Sequence, residues 1–76
     1  MESLNVLSPG DVGYVKEIKT VGAMRRRLMD IGLIENTRVE CVGKSPSGDP
    51  KAFLIRGTVV AIRNEDCENI IIDKAV

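Results

Sequence analysis

The sequence contains no histidine and no tryptophan, and only one tyrosine, one phenylalanine and two cysteines among 76 residues. Each shortage removes a class of function. Without histidine the chain lacks the commonest general base and the commonest metal ligand. Neither a Ser-His-Asp triad nor a Cys/His zinc site can be assembled from it alone. One tyrosine and one phenylalanine cannot line an aromatic groove for proline-rich peptides or stack successive bases. Two cysteines are too few for a disulfide framework. No apolar run approaches the ~20 residues of a membrane span. The start, Met1-Glu2-Ser3-Leu4-Asn5, lacks the charged and apolar regions of a secretion signal. Charge of one sign is also lacking: 11 Lys and Arg face 11 Asp and Glu. A nucleic-acid binder needs a basic footprint to neutralise phosphates, so the balance argues against that partner. The eleven carboxylates are scattered, with no pair spaced for acid–base work, and there is no phosphate-binding P-loop. The expectation is a single small domain over residues 1–76, cytoplasmic with reduced thiols, not an enzyme, without direct membrane insertion. A binding or regulatory module remains.

What the chain does have is regular punctuation. Pro9-Gly10, Gly13, Gly32, the run from Ser45 to Pro50 and Gly57 cut it into short pieces, the pattern of a small β-rich domain. Leu4 and Leu7 read as core anchors ahead of the first long strand. Residues 11–19 read as that strand, with Gly13 a candidate bulge because Val12 and Val15 cannot share a face at period two. Met24, Leu28 and Ile31 recur at helical spacing and predict a helix over 22–31. Gly32 suits the left-handed position past its end, with Leu33 folding back on Leu28. Thr20 and Gly22 are both candidates for the opening cap. Residues 37–44 read as a strand with Val39 and Cys41 inward. Ser45-Pro46-Ser47-Gly48 fits a type I turn. Residues 51–56 and 58–63 form a hairpin around Gly57. Asn64 can cap a short helical turn, and Ile70-Ile71-Ile72 is a buried last strand.

Arg25-Arg26-Arg27 is the sequence feature that stands out. On a helical wheel Arg27 borders the apolar stripe and Arg26 lies opposite it. Arg25 is roughly 40° from Met29, which places Met29 among arginines. Three cations early in a helix oppose its macrodipole, at roughly 0.3–1 kcal/mol each. A local rule broken in this way marks a candidate site. The plain reading, a solvated face of good helix formers, has equal weight. An Arg/Met surface suits a protein partner. Asp49 in the Ser45–Pro50 loop is a second candidate contact, because turn geometry does not require a carboxylate there. Cys41 and Cys67 read as packed thiols rather than a redox pair or metal ligands. Apolar residues on both faces of 53–55 and 59–60 fit either self-association or a closed barrel, so the oligomeric state stays open.

These motifs also occur together, in order: Leu4, Leu7, Pro9-Gly10 and Gly13; the helix exit Arg27-Leu28-Met29-Asp30-Ile31-Gly32-Leu33; the loop Pro46-Ser47-Gly48-Asp49-Pro50; Arg56-Gly57; and Ile62-Arg63 before an acidic turn. In this the chain resembles the ferrous iron transport protein A (FeoA) family over nearly its whole length. The resemblance implies a mainly β, SH3-like barrel of about five strands, with one helix inserted after the first strand and a short helical turn before the last. It implies a small accessory of bacterial ferrous iron uptake, whose partner is the cytoplasmic GTPase domain of the membrane transporter. Arg25, Arg26, Arg27, Met29 and Asp49 are the candidate partner-binding residues. Similar modules end metal-dependent repressors of the diphtheria toxin repressor type, so a regulatory module acting on a repressor is the alternative. The family is also loosely associated with transition metals, which makes a weak metal sensor a further alternative. With no histidine and two packed cysteines, no cofactor is expected from this chain's own residues.

Overall fold

A computed structural model describes residues 1–75. The chain forms β1 (Glu2–Ser3), a short 3-10 turn (Leu4–Val6), β2 (Val12–Ile18), α1 (Gly22–Asp30) and β3 (Arg38–Lys44). β4 (Lys51–Ile55), β5 (Thr58–Ile62), α2 (Asn64–Cys67) and β6 (Ile70–Lys74) follow. The six strands make one sheet in the order β1-β6-β2-β3-β4-β5, with antiparallel neighbours throughout. The five strands, inserted helix and late helical turn read from the sequence are all present. The addition is β1, two residues that pair with Ile71 and Ile72.

The sheet wraps one core. Val15, Val39, Cys41, Phe53, Ile55, Ile62, Ile70 and Ile72 point inward and are buried. Leu4 and Leu7 close one side, and Leu28 and Leu33 from α1 and its exit close another. Burying such a side chain stabilises the fold by about 1.5–3 kcal/mol, which is how a chain this small holds together. Lys51 ties the N-terminal segment to β4: its Nζ donates to the carbonyls of Asn5 at 2.7 Å and Leu7 at 3.0 Å.

Two local readings are corrected. The bulge in β2 lies between Val15 and Glu17, at Lys16, not at Gly13. Gly13 is in phase with Val15 on the inner face, and a Cβ there would lie 2.7 Å from Ile72 Cδ1. It is glycine because the sheet closes tightly over it. The extra residue at Lys16 then returns Ile18 toward the core. The helix cap is the second correction. Val21 occupies the N-cap position with no side-chain bond. The Thr20 hydroxyl points instead to the Asp66 carbonyl, at 3.5 Å, and Gly22 has φ +73°.

The helix exit follows the sequence closely. Gly32, at φ +85°, donates its N–H to the Met29 carbonyl at 3.0 Å, and Leu33 donates to Leu28 at 3.0 Å. These are the two bonds of a Schellman motif, closed by the packed pair Leu28 and Leu33. The Gly32 carbonyl in turn accepts from Arg56 Nε at 2.8 Å and from Thr37 Oγ1 at 3.4 Å. Arg56 and Gly57 have φ +49° and +82°, the mirror-image two-residue turn that matches strand twist. Gly32→Ala should lower stability by about 1–2 kcal/mol in urea unfolding, because it forces a left-handed alanine against Arg56. Gly43→Ala, at an open position without positive φ, should leave stability unchanged or slightly raised.

Candidate functional site

Helix α1 is held by few contacts. Leu28 is its one fully buried residue, and Met24 and Ile31 pack against the core at its margin. Every other side chain of α1 is exposed. The arginines therefore divide by role. Arg25 Nη1 donates to the carbonyl of Ile18 at 3.0 Å and of Thr20 at 3.4 Å. It fastens the helix to the end of β2. Arg26 and Arg27 have no hydrogen-bond or ion-pair partner among the described residues. Arg27 also falls in the last turn of α1, where the macrodipole favours a cation. The expected clash with the dipole is thus smaller than the run of three suggests.

Met29 is 49% exposed and stands between two shallow depressions. One is lined by Gly22, Ala23, Arg25, Arg26, Met29 and Asp30. The other runs along β2 past Ile18, Met29 and Ile34, with Lys16, Glu17 and Glu35 among its charged residues. Arg25 and Met29 belong to both, so the surface is continuous. It combines an exposed sulfur side chain, the unpaired Arg26, the carbonyl-bound Arg25 and apolar flanks, while Arg27 lines neither depression. Sequence reasoning missed Ile34, which is 52% exposed, and Val21, exposed at the helix start. The signal for Ile34 was available: once Leu33 turns inward at the helix exit, the next residue must turn out. Val21 carried no such signal.

Asp49 lines neither depression. Its Oδ1 accepts the backbone N–H of Asn64 at 3.0 Å, and so serves as a remote cap for α2. Its carbonyl accepts from the hydroxyls of Ser45 at 2.8 Å and Ser47 at 3.1 Å. The carboxylate thus has an internal partner. Asn64, read from the sequence as the cap, makes no capping side-chain bond, and Arg63 holds the N-cap position.

The cysteines are free and buried. Burial pushes the Cys67 thiol up to about 12, against a smaller opposing pull from Lys51. A thiol held protonated is a poor metal ligand. Among the described residues no three His, Cys, Asp or Glu side chains converge on one point.

Arg25→Ala should cost about 1 kcal/mol of stability through the two lost carbonyl bonds, whereas Arg26→Ala should change it by less than about 0.5 kcal/mol in the same unfolding measurement. Cys67 makes stability depend on pH in the alkaline range. The unfolded thiol ionises near its ordinary value of 9.0, while the folded one stays protonated to about 12. Stability contributed by the neutral thiol is complete below that lower value and is lost as pH climbs through the interval, by up to about 1.4 kcal/mol per pH unit. Urea midpoints measured across that range should fall less steeply in Cys67→Ala.

Among known proteins, the FeoA domain model matches residues 2–74. The solution structure of FeoA from Chlorobium tepidum is similar at 31% identity and TM-score 0.86, over 93% of this chain and 68% of that one. A zinc complex of Stenotrophomonas maltophilia FeoA is similar at 23% identity and TM-score 0.81, over 96% of this chain and 91% of that one. That protein is described as a prokaryotic SH3 domain protein and a candidate activating factor of ferrous iron transport. A manganese-dependent transcriptional repressor contains the same fold at 19% identity and TM-score 0.82, with 97% of this chain covering 41% of that one. No curated protein sequence matches the chain. No helix among the described residues is long and apolar enough to cross a membrane. The mainly β, SH3-like architecture and the match over nearly the whole length lead to one assignment: the chain belongs to the FeoA family, which is associated with ferrous iron transport.

Proposed function

We propose that the chain is a cytoplasmic, non-catalytic accessory of bacterial ferrous iron uptake, docking through α1 on the cytoplasmic GTPase domain of the membrane transporter. The observation that carries this reading is the unpaired Arg26 beside the exposed Met29, with Arg27 also unpaired, on a helix fastened at its ends by Arg25 and the Gly32 exit. Interface centres favour Arg and Met, and side chains already set on a helix are presented with less ordering penalty than on a loop. Arg25 holds the platform while Arg26 and Arg27 supply charge to the partner. The net charge of zero keeps nonspecific attraction low. Recognition then depends on this local patch.

Docking alters transport only if it favours one state of the GTPase domain over another. The protein should bind the purified GTPase domain in at least one of the nucleotide-free, GDP-bound and GTP-analogue-bound states, with an affinity that falls as salt rises. Arg26→Glu with Arg27→Glu should weaken binding by about tenfold or more, equal to about 1.4 kcal/mol, while the protein stays folded with a stability loss of about 1 kcal/mol or less. Absence of binding in all three states, or equal binding by the charge-reversed protein, would overturn the proposal.

A further inference from the structure

β5 is the open edge of the sheet, hydrogen-bonded on one side to β4. The two-residue turn at Arg56-Gly57 makes Ile55 and Thr58 the closing hydrogen-bonded pair. Alternation along the ladder then aims the backbone groups of Thr58, Val60 and Ile62 at β4. Those of Val59 and Ala61 point away, and no backbone bond outside the ladder reaches them among the described residues. Two N–H and two C=O groups therefore face outward on one short strand.

Edge strands are usually blunted by shortness, a charge, a proline or a bulge. The opposite edge, β1, has two residues. β5 has five, Thr58-Val59-Val60-Ala61-Ile62, with no charge, no proline and a regular register. Its outer face is apolar. Val59 is 62% exposed and pairs across the ladder with the partly buried Leu54, and Ala61 pairs with Ala52.

We propose that β5 is a self-pairing edge: two copies of the chain join antiparallel about Val60 into one continuous sheet. In this register Val59 of each copy exchanges both backbone hydrogen bonds with Ala61 of the other, so all four outward groups of each strand are paired. The strand is self-complementary. It carries no charge to repel its own copy, and the chain as a whole has zero net charge. The nearest cations are at the strand's ends, where Arg56 is drawn back to the Gly32 carbonyl, Lys51 opposite Ile62 is bound to the Asn5 and Leu7 carbonyls, and Arg63 lines a depression with Asp49 and Pro50. The contact is small, so association is weak and reversible. It uses no residue of α1 and stands apart from the docking proposal.

Sedimentation equilibrium from about 10 μM to about 1 mM, a range suited to weak association, reads this directly. The average mass should rise from 8.3 kDa toward twice that value. Over the same range the Val59 and Ala61 amides should show the largest shifts in two-dimensional NMR spectra. Val59→Lys and Ala61→Pro should remain monomeric throughout. Val59→Lys alone decides if the proline variant does not fold, because its side chain lies in solvent. A monomer at about 1 mM, a dimer formed equally by Val59→Lys, or concentration-dependent shifts mapping to α1 would each overturn the proposal.

Discussion

The left-handed helix exit at Gly32 is the constraint on which much of the molecule depends. Its N–H and that of Leu33 close α1, while its carbonyl receives Arg56 from the β4–β5 turn and Thr37 from the approach to β3. One peptide unit thereby joins the helix, the start of a strand and the far hairpin. Glycine is favoured twice over, by the backbone angle and by the Arg56 side chain, whose Cδ lies 2.8 Å from where a Cβ would be. The two-residue turn gives Arg56 its positive φ, shared among the described non-glycine residues with Asn36. The bond to Gly32 offsets the local cost of that conformation.

This exit also determines what α1 can present. A helix ended so firmly needs little burial along its length, and α1 buries Leu28 alone. Arg25 supplies the other anchor, reaching back to the end of β2. Between these two fixings Arg26, Arg27 and Met29 face outward. A solvated face of helix formers and a docking surface are hard to distinguish by composition. They differ in neighbours: the two depressions meeting at Met29, and the apolar flank of Ile18 and Ile34, lie beside this face.

The neutral total charge conceals a division of labour. Lys51, Arg25 and Arg56 are occupied with backbone carbonyls, and Asp49 and Asp11 with backbone N–H groups. At Asp11 the N–H of Ser8, with a weaker pull from Lys74, holds the carboxyl below its ordinary range. Charges that resembled surface features in the sequence thus serve as internal fasteners. In a domain with so small a core, such bonds across segments do work that burial does in larger proteins.

The strands, the helix, its Schellman exit, the hairpin at Gly57 and the packed cysteines were legible from sequence, because each rests on local chemistry: periodicity, a left-handed glycine, apolar character. The bulge at Lys16, the remote capping of α2 by Asp49 and the anchoring role of Arg25 were not. Each depends on which atoms from distant segments arrive nearby: Ile72 beneath Gly13, Asn64 beside Asp49, the end of β2 beside Arg25. The shortage of histidine, aromatics and net charge determined by itself what this protein does not contain. Which of its arginines are free, and which edge of its sheet is open, was decided only by the tertiary structure, because a side chain or backbone group is available only if no distant partner has claimed it.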